Sequence, residues 1–411
     1  MTVGFTDIAA LDASDPLRGF RDEFQLREGL IYLDGNSLGA APRATAARIA
    51  EVVANQWGEG LITSWLGAEW STAPQRIGDK IASLLGAKPG EIVAADSTSV
   101  NIFKALTAAI SLRPQRSTIL SEATNFPTDV YMMQGIEAFV GGRLRAVTVD
   151  PGAVLERLDN DVAVLLLTQV HYKSGLVRDM AEVTRRAHAK GIPVVWDLSY
   201  SAGAIPVDLN GANVDFAVGC GYKFLNGGPG APAFIFVAER HQAATPVLSG
   251  WFGHSSPFAF EEDYRPATGI ARFLCGTPQV LGLAALECGL DLMGRVDLAE
   301  LRRKSLALGD LFIERMELRC AGFGFELISQ RDAALRGSQV SFAHPHGYEI
   351  IQALKQRDVI GDFRAPDVLR FGLTPLYLRY ADIVEAVERL RDICQTRACD
   401  SPDHRHRAAV T

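Results

Sequence analysis

Continuous apolar runs and helical stretches alternate along the chain from about residue 91 to residue 240. The runs VAVLLLTQV (162–170) and IPVVWD (192–197) have the length of strands and too few polar positions to face water on either side. This alternation predicts an α/β fold with a mainly parallel, seven-stranded sheet that helices cover on both faces. Ligands of such sheets bind beyond the carboxyl ends of the strands. The residues that follow the predicted strands are therefore the first site candidates: Thr98, Ser99, Asn125, Phe126, Asp129, Thr168, His171, Asp197, Tyr200, Tyr222 and Lys223.

The pattern changes near residue 245. Residues 250–278 are rich in glycine, proline and aromatic residues without a clear period, which is typical of an ordered loop with a binding or interface role. Helices and short strands follow, and they predict a smaller α+β domain. We expect an N-terminal arm over 1–40, a large domain over 41–275, a small C-terminal domain over 276–398 and a disordered tail over 399–411.

Composition narrows the class of protein. The 411 residues carry a formal net charge of −7, and no basic run marks a nucleic-acid-binding surface. The six cysteines are scattered without a CxxC pair, so we expect neither a metal site nor a disulfide framework. No signal peptide is recognisable, and no apolar run approaches the ~18 residues of a membrane span. We expect a cytoplasmic protein without nucleic-acid or membrane partners.

Lys223 is the most informative lysine of the chain. It lies in the glycine-rich loop of VDFAVGCGYKFLNGGPGAPAFIFV (214–237), between two apolar runs that predict buried strands. Of the other seven lysines, five lie in polar helical segments or in a turn, and Lys104 and Lys173 are possible phosphate or surface lysines. A lysine between two core strands can be a desolvated amine that forms a Schiff base with a carbonyl cofactor. The alternative is a lysine at a strand end that reaches solvent.

Two further features extend this hypothesis. Asp96-Ser97-Thr98-Ser99 begins a helix, where these residues can cap the helix or bind an anion. Asp197 ends an apolar strand and is either a turn acid or a carboxylate that keeps a pyridine nitrogen protonated. Phe126 offers a ring that can stack on a cofactor. A phosphate site, an acid and a lysine are the three contacts that pyridoxal phosphate (PLP) needs.

Two more residues have open interpretations. Arg370 lies in an apolar strand, so it needs a carboxylate, which is either an internal Asp or Glu or the α-carboxylate of a substrate. Trp65 follows a serine in LITSWLGAEW, and it either packs in the core or lines a pocket.

The chain resembles the kynureninases, fold-type I PLP enzymes of the class V aminotransferase group, from about residue 29 to residue 395. YLDGNSLG and GWFGH distinguish these enzymes from their class V relatives. The matching motifs, in order, are YLDGNSLG (32–39), STSVN (97–101), NFPTD (125–129), HYKSG (171–175), WDLSYSAGA (196–204), GYKFLNGGPG (221–230), GWFGH (250–254), CGTP (275–278) and LRFGLTPLY (369–377).

The resemblance implies a role for each matching residue. Lys223 carries the cofactor, Asp197 pairs with its pyridine nitrogen, Phe126 stacks on its ring and Asp129 supports the ring. The implied cofactor contacts also include Thr98 and Ser99 at the phosphate, Thr168, Tyr200, Tyr222 as a phosphate ligand and candidate acid/base, and Trp251 and Thr277 from the partner subunit of a homodimer. The implied substrate contacts are Arg370 at the carboxylate, Asn36 and Trp65.

The implied reaction is hydrolysis of kynurenine or 3-hydroxykynurenine to anthranilate or 3-hydroxyanthranilate and alanine, in tryptophan catabolism. The alternatives are another class V activity, such as an aminotransferase or a cysteine desulfurase, and a non-catalytic PLP-fold protein. One position departs from the family. Tyr200 stands in DLSYSAG where the family commonly has histidine, and tyrosine does not titrate near neutral pH.

Overall fold

The computed structural model describes residues 7–244, 246–401 and 404. Most of the expected disordered tail, namely residues 402, 403 and 405–411, lies outside the described residues. The chain forms two compact units. The first comprises 1–43, 172–177 and 295–411, and the second comprises 44–171 and 178–294. The boundaries expected from the sequence at residues 40, 275 and 398 stay predictions.

The strands and helices are as follows. The strands are β1 (Ile31–Tyr32), β2 (Ile92–Ala94), β3 (Thr118–Glu122), β4 (Arg145–Val149), β5 (Val162–Thr168), β6 (Val194–Asp197), β7 (Phe216–Gly219), β8 (Phe234–Val237), β9 (Glu326–Leu327), β10 (Gln339–Ala343), β11 (Val359–Ile360), β12 (Asp362–Arg364) and β13 (Val368–Gly372). The helices are α1 (Ile8–Ser14), α2 (Arg43–Glu51), α3 (Ser64–Gly67), α4 (Ala73–Leu84), α5 (Thr98–Ser111), α6 (Pro127–Phe139), α7 (Met180–His188), α8 (Val280–Met293), α9 (Leu298–Arg319), α10 (Gly347–Lys355) and α11 (Tyr380–Thr396), and a π-helical segment, Val52–Glu59, continues α2.

The second unit contains a seven-stranded sheet in the order β2-β8-β7-β6-β5-β3-β4. Strand β8 runs antiparallel to its neighbours β2 and β7, and the other four pairings are parallel. The predicted mainly parallel sheet is therefore confirmed. Because β3, β5, β6 and β7 are parallel, their carboxyl ends lie on one edge, where the site candidates were expected.

Helix α5 packs on this sheet. Ile102, Ala105 and Ala109 on one side of the helix are inaccessible to solvent and belong to the same core as Val195 and Phe216 of the sheet. Full burial of a side chain such as Ile102 contributes about 1.5–3 kcal/mol. The hydrophobic face of α5 therefore anchors its first turn above the carboxyl edge of the strands.

The first unit contains a four-stranded antiparallel sheet, in the order β12-β13-β10-β9, and a parallel pair of β1 with β11. This arrangement, with α9 to α11, confirms the predicted small α+β domain. The N-terminal helix α1 belongs to the same unit, because Asp12 accepts hydrogen bonds from the backbone N–H groups of Tyr380 and Ala381 at the start of α11. Within the described ranges, no helix combines the length and the apolar character that a membrane crossing requires.

Asp215 ties β6 and β7 together at the edge of the sheet opposite the site candidates. Its Oδ1 accepts hydrogen bonds from Arg240 at 2.9 Å and His241 at 2.8 Å, and its Oδ2 accepts from His188 at 2.6 Å and the Val194 N–H at 2.9 Å. Burial alone would raise the pKa of Asp215, but the hydrogen bonds from His188 and His241 outweigh it and hold the pKa well below its usual range.

We expect Asp215→Ala to lower the free energy of unfolding by about 1–3 kcal/mol at neutral pH, because it leaves the buried Val194 N–H and two partly buried histidines without their acceptor. Since the folded-state pKa is depressed, this contribution is present above the unfolded value of about 3.9. It is lost as the pH falls through the folded-state pKa. Urea unfolding from neutral to acidic pH measures it. The exposed Asp263 provides the control, and Asp263→Ala should change the stability by less than about 0.5 kcal/mol. Equal effects of the two substitutions would contradict the role of the network.

Candidate active site

Lys223 lies in the loop that follows β7 and is only 6% exposed. The loop is tightly folded, because a Cβ on Gly221 would meet the Pro232 carbonyl oxygen at 2.3 Å, and the Gly227 N–H donates to the Gly221 carbonyl. Burial alone would lower the pKa of Lys223, but Tyr200, Cys220, Tyr222 and Asp197 around it raise the pKa. The glycine-rich loop thus encloses an amine that has its own set of polar and aromatic neighbours.

Three aromatic rings surround the amine. The Lys223 Nζ lies 3.6 Å from the centroid of the Tyr200 ring, 5.8 Å from that of Tyr222 and 5.9 Å from that of Phe126. The Tyr200 contact has the geometry of a cation–π interaction. Burial, together with Cys220, raises the pKa of Tyr222 to about 12, although Lys223 opposes the shift. Tyr222 is therefore a neutral phenol at neutral pH.

Asp197 ends β6 and is 3% exposed. Its Oδ1 accepts two hydrogen bonds from Ser199, from the N–H at 2.8 Å and from the hydroxyl at 2.6 Å. Burial raises the pKa of Asp197, and the Ser199 hydrogen bonds and Lys223 oppose that shift. Within the described part of the chain, no hydrogen bond to Oδ2 is recorded, so this oxygen can accept a proton from a ligand.

Asp129 lies in the first turn of α6, which Phe126 precedes, and is almost fully buried. Thr168, the last residue of β5, donates to the Asn125 Oδ1 at 2.5 Å and lies 3.3 Å from the Asp129 Oδ2. Burial and then the nearby Asp197 raise the pKa of Asp129 well above its usual value. Two carboxyls, one hydroxyl and one amide therefore meet at the ends of three neighbouring strands.

The first turn of α5 carries Thr98 and Ser99, both partly exposed, and Ser97 caps the helix by accepting from the Val100 N–H. Backbone N–H groups and hydroxyls at the start of a 14-residue helix suit a phosphate. Lys104 is not available there, because it is fully buried in an ion pair with Asp96 at 2.6 Å. The hydroxyls of Thr98 and Ser99 and the backbone N–H groups of this turn stay the predicted phosphate-binding groups.

The donor set fits PLP. The Oδ1 of Asp129 is buried and has no hydrogen-bond partner among the described residues. Both Ser199 hydrogen bonds to Asp197 go to its Oδ1, which leaves Oδ2 for the pyridine nitrogen. An acid for the pyridine nitrogen, a lysine for the aldehyde, a ring for stacking and a helix start for the phosphate all belong to the second unit. These residues would hold the cofactor.

Trp65, Trp251 and Thr277 also belong to the second unit. The rings of Trp65 and Trp251 are 6.1 Å apart in a cluster that includes Phe252 and Phe258. Thr277 lines a separate cavity of about 540 Å³ with Trp57 and Trp70. No ring contact or hydrogen bond between Lys223 and any of the three is recorded among the described residues.

Arg370 and Asn36 belong to the first unit. Arg370 is fully buried, its Nε donates to the Asp362 Oδ1 at 2.8 Å, its Nη2 pairs with Oδ2, and its Nη1 donates to the Tyr172 carbonyl. Arg370 therefore forms an ion pair with an internal carboxylate, which was the first of the two interpretations of its sequence position. Asn36 is also fully buried and donates to Gln339 at 3.3 Å.

Sequence reasoning missed three residues. Asn125 was noticed only as a strand-end residue, although its amide connects Thr168 to the start of α6. Ser199 received no role from the sequence, although it supplies two hydrogen bonds to Asp197. Asp34 in YLDGNSLG received no role, although burial and then Asp362 raise its pKa to about 7. The signal for all three was their place inside a matching motif.

Comparisons with known proteins agree with the geometry. The family profile described as the kynureninase C-terminal domain matches residues 301–390. The kynureninase of Burkholderia pseudomallei strain 1106a is 51% identical over 409 residues, which cover 98% of each chain. The kynureninase of Pseudomonas fluorescens is 48% identical over 412 residues, which cover 98% of this chain and 99% of that one. The apo cysteine desulfurase of Thermococcus onnurineus NA1 shares the fold with a TM-score of 0.77 at 17% identity, and the match covers 92% of this chain and 98% of that one.

The sheet and the buried lysine with its acid define a PLP-dependent enzyme of fold-type I. Identity near one half over almost the whole length then assigns the family. The chain belongs to the kynureninase family.

Lys223→Ala should abolish the visible absorbance of the enzyme-bound cofactor, because no other amine lies beside Asp197 in the described part of the chain. Absorption spectroscopy after incubation with PLP and removal of the excess measures this. The exposed Lys190 serves as the matched control, and Lys190→Ala should keep the spectrum. An unchanged spectrum of Lys223→Ala would overturn the assignment of the lysine.

Proposed function

We propose that this protein hydrolyses L-kynurenine, 3-hydroxy-L-kynurenine or both to anthranilate or 3-hydroxyanthranilate and L-alanine, as a step of tryptophan catabolism. The observation that carries the proposal is the buried pair of Lys223 and Asp197 in a chain about half identical to kynureninases over its full length. PLP, when bound, supplies an electron sink for the substrate amino acid.

Lys223 is the proposed base that would accept the proton from the α-carbon of the bound substrate. Its Nζ lies against the face of Tyr200, which stabilises the protonated amine after it has accepted the proton. Asp197 is the proposed carboxylate that holds a proton on the pyridine nitrogen. The Ser199 hydrogen bonds favour its ionised form and oppose the rise in pKa that burial causes.

Tyr222 is the proposed acid/base group for the second half of the reaction. A phenol with a pKa of about 12 is protonated at neutral pH, so it can donate a proton to a leaving carbon or orient water at the substrate ketone. Cys220 beside it is not a suitable nucleophile, because burial raises its pKa and keeps the thiol neutral.

We further propose Arg370 as the ligand of the substrate α-carboxylate, with Asn36 and Trp65 as other substrate contacts. The ion pair with Asp362 fixes the plane of the guanidinium, and a fixed plane favours recognition of a second carboxylate. Arg364, which also contacts Asp362 at 2.8 Å and is partly exposed, adds positive charge to the same group.

We also propose a cytoplasmic homodimer whose subunits share their active sites, with Trp251 and Thr277 acting on the partner's cofactor. Exposed apolar side chains on the second unit support an interface: Trp57, Leu61, Ile62, Leu66 and Phe260 are between 56% and 79% exposed. Neither Trp251 nor Thr277 forms a hydrogen bond or ring contact with Lys223 within the described ranges, which is consistent with a role in the partner. Free, unpaired cysteines fit a reducing compartment.

Product analysis tests the reaction. Incubation with L-kynurenine should release anthranilate and alanine in equal amounts, whereas an aminotransferase would form a keto acid and a desulfurase would release sulfide from cysteine. The ratio of kcat/KM for kynurenine and 3-hydroxykynurenine identifies the preferred substrate. A purified holoenzyme that turns over neither compound would refute the proposal.

Mixed dimers test the shared site. Lys223→Ala and Trp251→Ala should each be nearly inactive alone, but mixing and reassociation of the two should restore about a quarter of the wild-type activity, because half of the dimers then hold one intact site. Sites built from one chain only would recover no activity. Mixing Lys223→Ala with Asp197→Ala is the control. Lys223 and Asp197 of one chain belong to the same site, so every site of a mixed dimer lacks one of them and no activity should return.

A further inference from the structure

A chain of hydrogen bonds with a fixed direction leads to Asp129. The Asn125 Oδ1 accepts from the Phe126 N–H at 2.8 Å, which fixes the orientation of the amide. Its Nδ2 donates to the Ser121 Oγ at 3.0 Å, and the Ser121 hydroxyl donates to the Leu166 carbonyl at 2.7 Å. The Ser121 hydroxyl proton and one of the two Nδ2 protons of Asn125 are therefore assigned, and the Asn125 Oδ1 can only accept.

Thr168 has a single hydroxyl proton, and two acceptors compete for it. The Asn125 Oδ1 lies at 2.5 Å and the Asp129 Oδ2 at 3.3 Å. If the proton pointed to Asp129, two acceptor oxygens would face each other at 2.5 Å in a buried site. The proton therefore belongs to the contact with Asn125. Thr168 then presents only a lone pair to Asp129, and that contact needs a proton from the carboxyl.

The surroundings of Asp129 and Asp197 also favour a protonated Asp129 and an ionised Asp197. Burial raises the pKa of both acids, but Asp197 accepts two hydrogen bonds from Ser199, which oppose the shift and favour its ionised form. Asp129 is almost fully buried, and its Oδ1 has no partner among the described residues. Burial and Asp197 raise the pKa of Asp129, while Thr168, Lys223 and the Asn125 side chain oppose the shift without cancelling it. Two acids whose surroundings differ in this way take different protonation states.

We propose that Asp129 is a neutral carboxylic acid that donates its proton to Thr168, so that Asp197 is the one carboxylate beside Lys223. The protonation state of Asp129 does not depend on a bound cofactor, whereas the catalytic role of this acid rests on the proposed function. Asp129 is then a positioning residue that holds the end of β5 to the first turn of α6.

The neutral acid matters for Lys223. A second carboxylate in this small volume would hold the lysine more firmly as an ammonium ion, and a lysine must lose its proton before it can act as a nucleophile or a base. A neutral Asp129 also lets Asp197 act alone on the pyridine nitrogen. The arrangement thus limits the negative charge of the site to a single group.

Infrared difference spectroscopy of the full-length holoenzyme tests the proposal. The spectrum of the wild type minus that of Asp129→Asn should contain the carbonyl-stretch band of a protonated carboxylic acid, which moves when the sample is transferred to D2O. The pH must lie well above the value of about 7 to which burial raises the pKa of Asp34, so that this other acid is ionised. A difference spectrum that shows only carboxylate bands would overturn the proposal.

Two variants of Thr168 provide an independent readout. Thr168→Val removes the acceptor of the proposed hydrogen bond and should shift the carboxylic-acid band to higher frequency, whereas Thr168→Ser keeps the hydroxyl and should leave the band in place. A band that is unaffected by both variants, or shifted equally by both, would contradict donation from Asp129 to Thr168.

Titration of the visible absorbance of the bound cofactor gives a third measurement. Asparagine resembles a neutral acid, so Asp129→Asn should leave the midpoint in place, whereas loss of a carboxylate charge would lower it by about 1 unit or more. A lowered midpoint would overturn the proposal. An enzyme that shows the acid band but does not cleave kynurenine would refute the proposed function alone, and an active enzyme without the band would refute the proton assignment alone.

Discussion

A buried ammonium and two buried carboxyls occupy one small region at the carboxyl edge of the large sheet. Lys223, Asp129 and Asp197 are between 1% and 6% exposed, so water stabilises none of them effectively. An unpaired charge in such a place costs several kcal/mol, and removal of one partner leaves the others uncompensated. The three groups are therefore mutually dependent, and the loop, the strand end and the helix start that carry them are held together by this requirement.

Strands and helices of the second unit hold these three groups in position. Strands β6 and β7 carry Asp197 at one end, with the Lys223 loop directly following, while at the opposite end Asp215 joins the same two strands through a backbone N–H and two histidines. The buried face of α5 holds the predicted phosphate site above the same edge. A change at the Asp215 end can thus affect the site through the alignment of two strands, without contact with any ligand.

The first unit uses a similar principle. Arg370 and Asp362 form a buried ion pair, and Ser37 donates to the same carboxylate at 2.7 Å. Position 372 in LRFGLTP requires a glycine, because a Cβ there would lie only 2.2 Å from the Asn36 Oδ1. Asp34, with a pKa near neutrality, is the group of this cluster whose charge responds most readily to pH. Residues of the motif YLDGNSLG therefore contact Arg370 and Asp362, although they lie more than 300 positions away in the sequence.

The sequence by itself determined the class of fold, the lysine and the acid. Continuous apolar strands separated by helices can be buried only in a covered parallel sheet, and a lysine and an acid that follow such strands must meet at one edge, so Lys223 and Asp197 were predictable. Only the tertiary structure decided the direction of each hydrogen bond. Asp129 contacts Thr168, which lies 39 residues away, and Arg370 donates to Asp362 and to the Tyr172 carbonyl. The position of a residue in the sequence determines which strand its side chain follows. Its hydrogen bonds and its burial depend on neighbours from other strands, and the hydrogen bonds and burial together set the protonation state of an acid.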